Sequence, residues 1–284
     1  MSVIPVDFDL SFTEGGHRLV YDLYGLSAAP LVVYLHGLLL DAELNRGIAQ
    51  ALAEQGYRVA LLDLLGHGRS DKPTHASTYR IDSYADQVIA LLDHLGVEKA
   101  VLGGISLGAN VSLFAAAHNP ERVQALVLEM PVLERAVPAA AMVFVPMVLA
   151  AHYGRRVLDV TSGLVGRVHR TRFGPLNSVL NAFSLPPDST SAVLHGVLVG
   201  PVAPTQEERR AIAVPTLVLA HRNDLIHPFD DAVGLVTRMP NASLVRARSP
   251  LELRLRPRRL TKEIVTFLSR VGTPSARRPS DRPA

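Results

Sequence analysis

Four short apolar runs, Leu31–Leu35, Tyr57–Leu62, Ala100–Ile105 and Gln124–Leu128, are separated by segments of helical periodicity. Leu44, Ile48, Ala51 and Leu52 follow the first run. Tyr84, Val88, Leu91, Leu92 and Leu95 follow the second, and the proline-free stretch Leu107–Ala117 follows the third. This rhythm constrains the fold more than any other feature. A run with almost no polar residue reads as a strand covered on both faces, and strands alternating with helices build a parallel sheet between helical layers. Upstream, Val6–Phe12 and His17–Tyr24 alternate apolar and polar residues around Gly15-Gly16, the pattern of a hairpin that adds antiparallel edge strands. Downstream, Val214–Ala220 and Leu244–Val245 supply two more strands and Leu260–Leu268 a last helix. The expected fold is α/β: a mostly parallel eight-stranded sheet with helices on both faces.

Pro131 to Glu208 breaks the rhythm. It contains no convincing strand and several prolines, and reads as a helical insertion between the sixth and seventh strands. Within it, Ala136–Ala151 is apolar and uncharged, but it is shorter than the roughly 20 residues a bilayer needs. Pro138 and Pro146 interrupt it, so a pair of buried or lid helices is expected and no membrane span. This surface needs a partner: an apolar ligand beneath a lid, or a second copy in a homodimer. The expected organisation is a core of residues 1–131 and 207–271, a helical lid over 132–206 and a disordered basic tail over 272–284.

Composition narrows the chemistry. The 284 residues include no cysteine, which excludes a disulfide framework, a thiolate zinc site, an Fe–S cluster and a cysteine nucleophile. The net charge of +3 is unevenly placed: from Arg246 onward 11 Lys and Arg face 3 acids, whereas residues 1–245 carry 18 bases and 23 acids. With 5% aromatics and no Trp, a nucleic-acid partner is not expected. Met1 to Phe12 alternates like a strand rather than opening with an apolar leader, so a cytoplasmic location is expected. No set of His, Asp and Glu has metal-site spacing, and the glycines do not form a dinucleotide fingerprint, so neither metal nor cofactor is expected.

The chemistry-bearing motif is Gly104-Ile105-Ser106-Leu107-Gly108, set between an apolar strand and a helix. A sharp strand-to-helix turn strains the backbone at the central serine and requires small flanking residues. It lifts the Ser106 hydroxyl clear of the sheet and puts the Leu107 N–H, at a helix N-terminus, beside a developing oxyanion. The plainer alternative is a glycine-rich turn with a buried serine.

Three further segments join this motif. His36-Gly37 follows the third strand, residues 63–71 read DLLGHGRSD after the fourth, and residues 224–228 read DLIHP after the seventh. With them the chain resembles the α/β-hydrolase superfamily over nearly all of residues 17–270. The resemblance implies a serine nucleophile at Ser106 and an acid at Asp224. It also implies an oxyanion loop shaped by His36 and Gly37, with Leu38 and Leu107 donating amide hydrogens. A serine at the elbow argues against the haloalkane dehalogenase and epoxide hydrolase branches, where the resemblance calls for aspartate.

The chain departs from the family at the third catalytic position. The histidine expected after the eighth strand is absent: residues 248–254 read RSPLELR. No histidine follows His227. Three readings stay open. His227 takes the role from the acid loop; or Ser106 has lost its base and the protein binds a ligand without hydrolysing it; or an insertion histidine (His152, His169 or His195) swings in. The corresponding functions are a serine hydrolase acting on an ester, thioester or similar carbonyl of a hydrophobic small molecule, and a non-hydrolytic binding or accessory protein of the same fold.

Overall fold

Every residue of Leu31–Leu35 and of Thr216–Ala220 is buried, as strands covered on both faces must be. The computed structural model describes residues 4–222, 224 and 226–272. In chain order the elements are β1 (Val6–Glu14), β2 (His17–Tyr24), β3 (Leu31–Leu35), α1 (Arg46–Ala53), β4 (Arg58–Asp63), α2 (Ile81–His94), β5 (Ala100–Ile105), α3 (Leu107–His118) and β6 (Val123–Glu129). There follow α4 (Val137–Tyr153), α5 (Arg155–Gly166), α6 (Gly174–Phe183), α7 (Pro187–Val199) and α8 (Gln206–Ala211). The chain then returns through β7 (Thr216–Ala220), α9 (Phe229–Arg238), β8 (Ala242–Arg246), α10 (Glu252–Leu255) and α11 (Arg258–Val271).

The eight strands form one sheet in the order β1-β2-β4-β3-β5-β6-β7-β8. β1 pairs with β2, and β2 with β4, antiparallel; every other pair is parallel. Because β3, β5, β6 and β7 run the same way side by side, the loops that follow them open at one edge. That edge collects Gly37, Ser106 and Asp224.

Side chains alternate between the two faces with the strand period of two. Val32, Tyr34, Val59, Leu61 and Val101 pack with Ile48, Leu52, Leu260, Ile264 and Leu268 of α1 and α11. Leu31, Val33, Leu35, Ala60, Leu62 and Leu102 face the other way, onto Val88, Leu91, Leu92, Val111 and Leu113 of α2 and α3. Val193, Leu194 and Val197 of α7 join that second cluster, so the insertion is anchored to it.

One expectation fails here. Ala136–Ala151 is not a helix pair: α4 runs unbroken through Pro146. A proline inside a helix removes one N–H and crowds the carbonyl four residues back. Both Pro146 and Met142 lie on the exposed side of α4, where water can satisfy the released carbonyl. No helix among the described residues is long and apolar enough to cross a membrane. The expected tail lies outside the described residues beyond Gly272.

Candidate active site

Ser106 takes φ 54° and ψ −110°, a conformation that a residue bearing a Cβ adopts only under constraint. The constraint is visible. Its N–H donates to the Glu129 carbonyl of β6 at 2.8 Å, and helix α3 starts at the next residue. A Cβ on Gly104 would stand 2.6 Å from the Leu35 carbonyl oxygen, and one on Gly108 2.7 Å from the same atom. Both flanking glycines therefore let the turn press against β3. Leu107, as the first residue of α3, has an N–H without an intrahelical acceptor.

The acid loop folds around Asp224. Its Oδ1 accepts from the backbone N–H groups of Ile226 at 2.9 Å and His227 at 3.0 Å. Its Oδ2 accepts from the His227 ring at Nδ1, 2.9 Å away. This turn explains how a separation of three residues can join an acid to an imidazole: the carboxylate that pulls the loop into a turn also meets the ring. Burial alone would raise the Asp224 carboxyl. The His227 ring and the two backbone amides outweigh it and hold the group well below the usual carboxylate range. With Nδ1–H donating to the carboxylate, the His227 Nε2 is bare, and it lies 2.9 Å from the Ser106 Oγ. Ser106, His227 and Asp224 thus form one continuous hydrogen-bonded chain. Their exposure is slight, 15% for the His227 side chain and 12% for Asp224.

A second imidazole meets the same oxygen. His221, buried directly after β7, approaches Asp224 Oδ2 through Nε2 at 3.0 Å. Sequence reasoning passed over it. The available signal was its position: it stands three residues before the aspartate, as His227 stands three after.

The loop after β3 is set by a neutral histidine. His36 Nε2 accepts from the Leu64 N–H at 3.1 Å, so Nδ1 carries the proton and donates to the Gly37 carbonyl at 2.9 Å. In a trans peptide the N–H opposes the C=O. Turning the Gly37 carbonyl toward His36 therefore turns the Leu38 N–H away from it. A Cβ on Gly37 would lie 3.8 Å from the carbonyl oxygen of Ile105, so this loop borders the elbow. His67 stacks at a tilt on His36, ring centroids 4.8 Å apart. Burial pushes both imidazoles below their ordinary pKa, His67 furthest.

The loop after β8, where the family's histidine is expected, is given over to ion pairs. Arg254, its side chain buried, bonds the Glu129 carboxylate and reaches Asn45 Oδ1 at 2.7 Å. Tyr34 donates to the other Glu129 oxygen at 2.9 Å. Glu252 accepts from Arg259 and from the Arg248 N–H. Glu129 is the residue whose carbonyl holds Ser106, so this cluster underpins the elbow.

Of the insertion histidines, His169 and His195 are exposed, and the His152 side chain lies outside the described residues. An apolar cavity of about 290 Å³ lies between α4, α5, α6 and α7. Met147, Ala150 and Ala151 contribute to it from the stretch expected to act as a roof, and Leu39, next to Leu38, also lines it. The other side of that stretch faces outward. Among the described residues no group of three His, Asp or Glu is placed to hold a metal ion.

A family model for the alpha/beta hydrolase fold matches residues 30–229, and the chain belongs to that family. Over 235 residues it is 28% identical to the AB hydrolase superfamily protein YisY of Bacillus subtilis, covering 75% of this chain and 81% of that one. It is 34% identical over 126 residues to a haloalkane dehalogenase of Mycolicibacterium paratuberculosis, 43% of this chain and 42% of the other. The crystal structure of the enol-lactonase from Burkholderia xenovorans LB400 superposes with a TM-score of 0.74 at 22% identity, covering 92% of this chain and all of that one.

Proposed function

We propose that this protein is a serine hydrolase that cleaves an ester, thioester or similar carbonyl of a hydrophobic small molecule, with its base on the acid loop. The observation that carries the proposal is the 2.9 Å approach of His227 Nε2 to the Ser106 Oγ in line with Asp224. As Ser106 attacks the carbonyl carbon, its proton passes to His227 Nε2 while Nδ1–H stays bonded to Asp224. The Leu38 and Leu107 amides receive the oxyanion in the Gly37 loop. Collapse expels the alcohol or thiol, which takes the proton from His227. Water, deprotonated by the same ring, then releases the acid. No cofactor enters the scheme.

The insertion serves as a lid in this reading, and the apolar cavity that Leu39 helps to line supports an apolar acyl or alkyl group. The enol-lactonase is named for a carbonyl substrate, which agrees with the scheme; the partial likeness to a dehalogenase does not, because a serine occupies the elbow. The test is labelling with a fluorophosphonate probe, followed by hydrolysis of p-nitrophenyl esters from acetyl to octanoyl, with Ser106→Ala as control. Labelling confined to the parent, and binding that tightens by about 0.8 kcal/mol per buried methylene, is expected. Absence of labelling would return the protein to the non-hydrolytic reading.

A further inference from the structure

The outward side of the insertion is apolar where a surface helix is ordinarily polar. On α4 the exposed positions Met142, Val145, Leu149 and Tyr153 follow one another at steps of three and four, the spacing of a single helical stripe. On α5 and just beyond it, Val157, Val160, Leu164 and Val168 repeat the same steps. Met142 is 80% exposed and Val157 68%. Tyr153 and Val157 stand on either side of Gly154, so the stripes follow one another along the α4–α5 hairpin.

The segment that carries these stripes has a net positive charge. Residues 137–185 contain five arginines and one acid, Asp159. Residues 1–136 and 186–245 carry 13 Lys and Arg against 22 Asp and Glu, so within residues 1–245 the excess of positive charge lies in this segment; residues 246–284 form a second basic stretch. Arg155 pairs with Asp188, but Arg167 and Arg172 form no ion pair among the described residues and are exposed.

From this charge complementarity we infer that the α4–α5 hairpin docks on an anionic lipid surface, its apolar stripes entering the headgroup–acyl boundary and its arginines meeting the headgroups. A two-fold contact between copies of this face fits less well, because it sets these arginines against their own counterparts. The docking does not rest on the hydrolytic reading, and its test reads no activity.

The experiment is flotation of the full chain with large unilamellar vesicles of phosphatidylcholine alone and of phosphatidylcholine with 30% phosphatidylglycerol. The parent and Ser106→Ala should float with the anionic vesicles and at least tenfold less with the zwitterionic ones. Arg167→Ala/Arg172→Ala should weaken partitioning on the order of 25-fold, at roughly fivefold per cation. Val160→Asp/Leu164→Asp should abolish flotation with an unchanged melting curve, since both side chains are already exposed. Flotation with neither vesicle, or undiminished flotation of the aspartate variant, would overturn the inference. So would sedimentation velocity showing a dimer that the aspartate variant dissociates while no vesicle binds.

Discussion

The His227 imidazole stands 2.9 Å from the Ser106 hydroxyl across a separation of 121 residues, on the same loop as the aspartate that orients it. In the family pattern the acid and the base come from different loops. In the proposed mechanism one short turn supplies both, while the segment after β8 carries the Arg254–Glu129 and Arg259–Glu252 ion pairs. His221 on the other side of Asp224 gives the carboxylate a second imidazole contact, which limits its freedom to rotate.

The first prediction concerns this relay. His227→Ala should lower kcat/KM for p-nitrophenyl butyrate by about 10³-fold or more, as should Ser106→Ala, and the double variant should be no worse than either single one, because such groups act as a unit. Steady-state kinetics on the three variants checks it. Near-parental turnover in His227→Ala would remove His227 from the mechanism.

The flanking glycines should resist even one added methyl. Gly104→Ala and Gly108→Ala each drive a Cβ to within 2.7 Å of the Leu35 carbonyl oxygen, and neither neighbour is a flexible side-chain end. A loss of about 1–3 kcal/mol is expected, the size typical of overpacking a tight site. Urea denaturation of the two variants measures it; Gly163→Ala, with open space around it, is the control.

Arg254 and Glu129 should be interdependent. Arg254→Met leaves a buried carboxylate beneath the elbow and should cost about 3–5 kcal/mol. Adding Glu129→Gln removes the uncompensated charge while leaving an acceptor for Tyr34, so the double variant should be more stable than Arg254→Met alone. Equal midpoints for the two variants would show that the ion pair is not what the single change breaks.

Stability should fall on acidification from about pH 7 to pH 5. His36 and His67 are held below their ordinary pKa by burial, so in this interval the unfolded chain binds protons that the folded chain refuses. Their contribution is complete above the unfolded value near 6.5 and is lost as the pH drops toward the folded values. Urea midpoints across this interval should show the decline, and His67→Gln should flatten it.

Much of the fold was legible in the chain because its signals are local. Buried parallel strands must be apolar throughout, helices must repeat their apolar residues every three or four positions, and the glycines around Ser106 are demanded by contact with Leu35. Ser106, Asp224 and His227 were visible as candidates for the same reason, each lying in a short recognisable segment. Pro146 misled, because its effect on a helix depends on which way the freed carbonyl faces, and only packing decides that.

The sequence by itself determined the strand and helix rhythm, the eight-stranded sheet and the turn at Ser106. Tertiary structure alone decided that His227 meets Ser106, that His221 shares the Asp224 carboxylate, and that Arg254 lies under the elbow. Each of these is a contact between groups whose approach depends on how β3, β5, β6 and β7 line up their loop ends. Distances across a sheet follow strand order and register, and a single chain of residues carries no local mark of either.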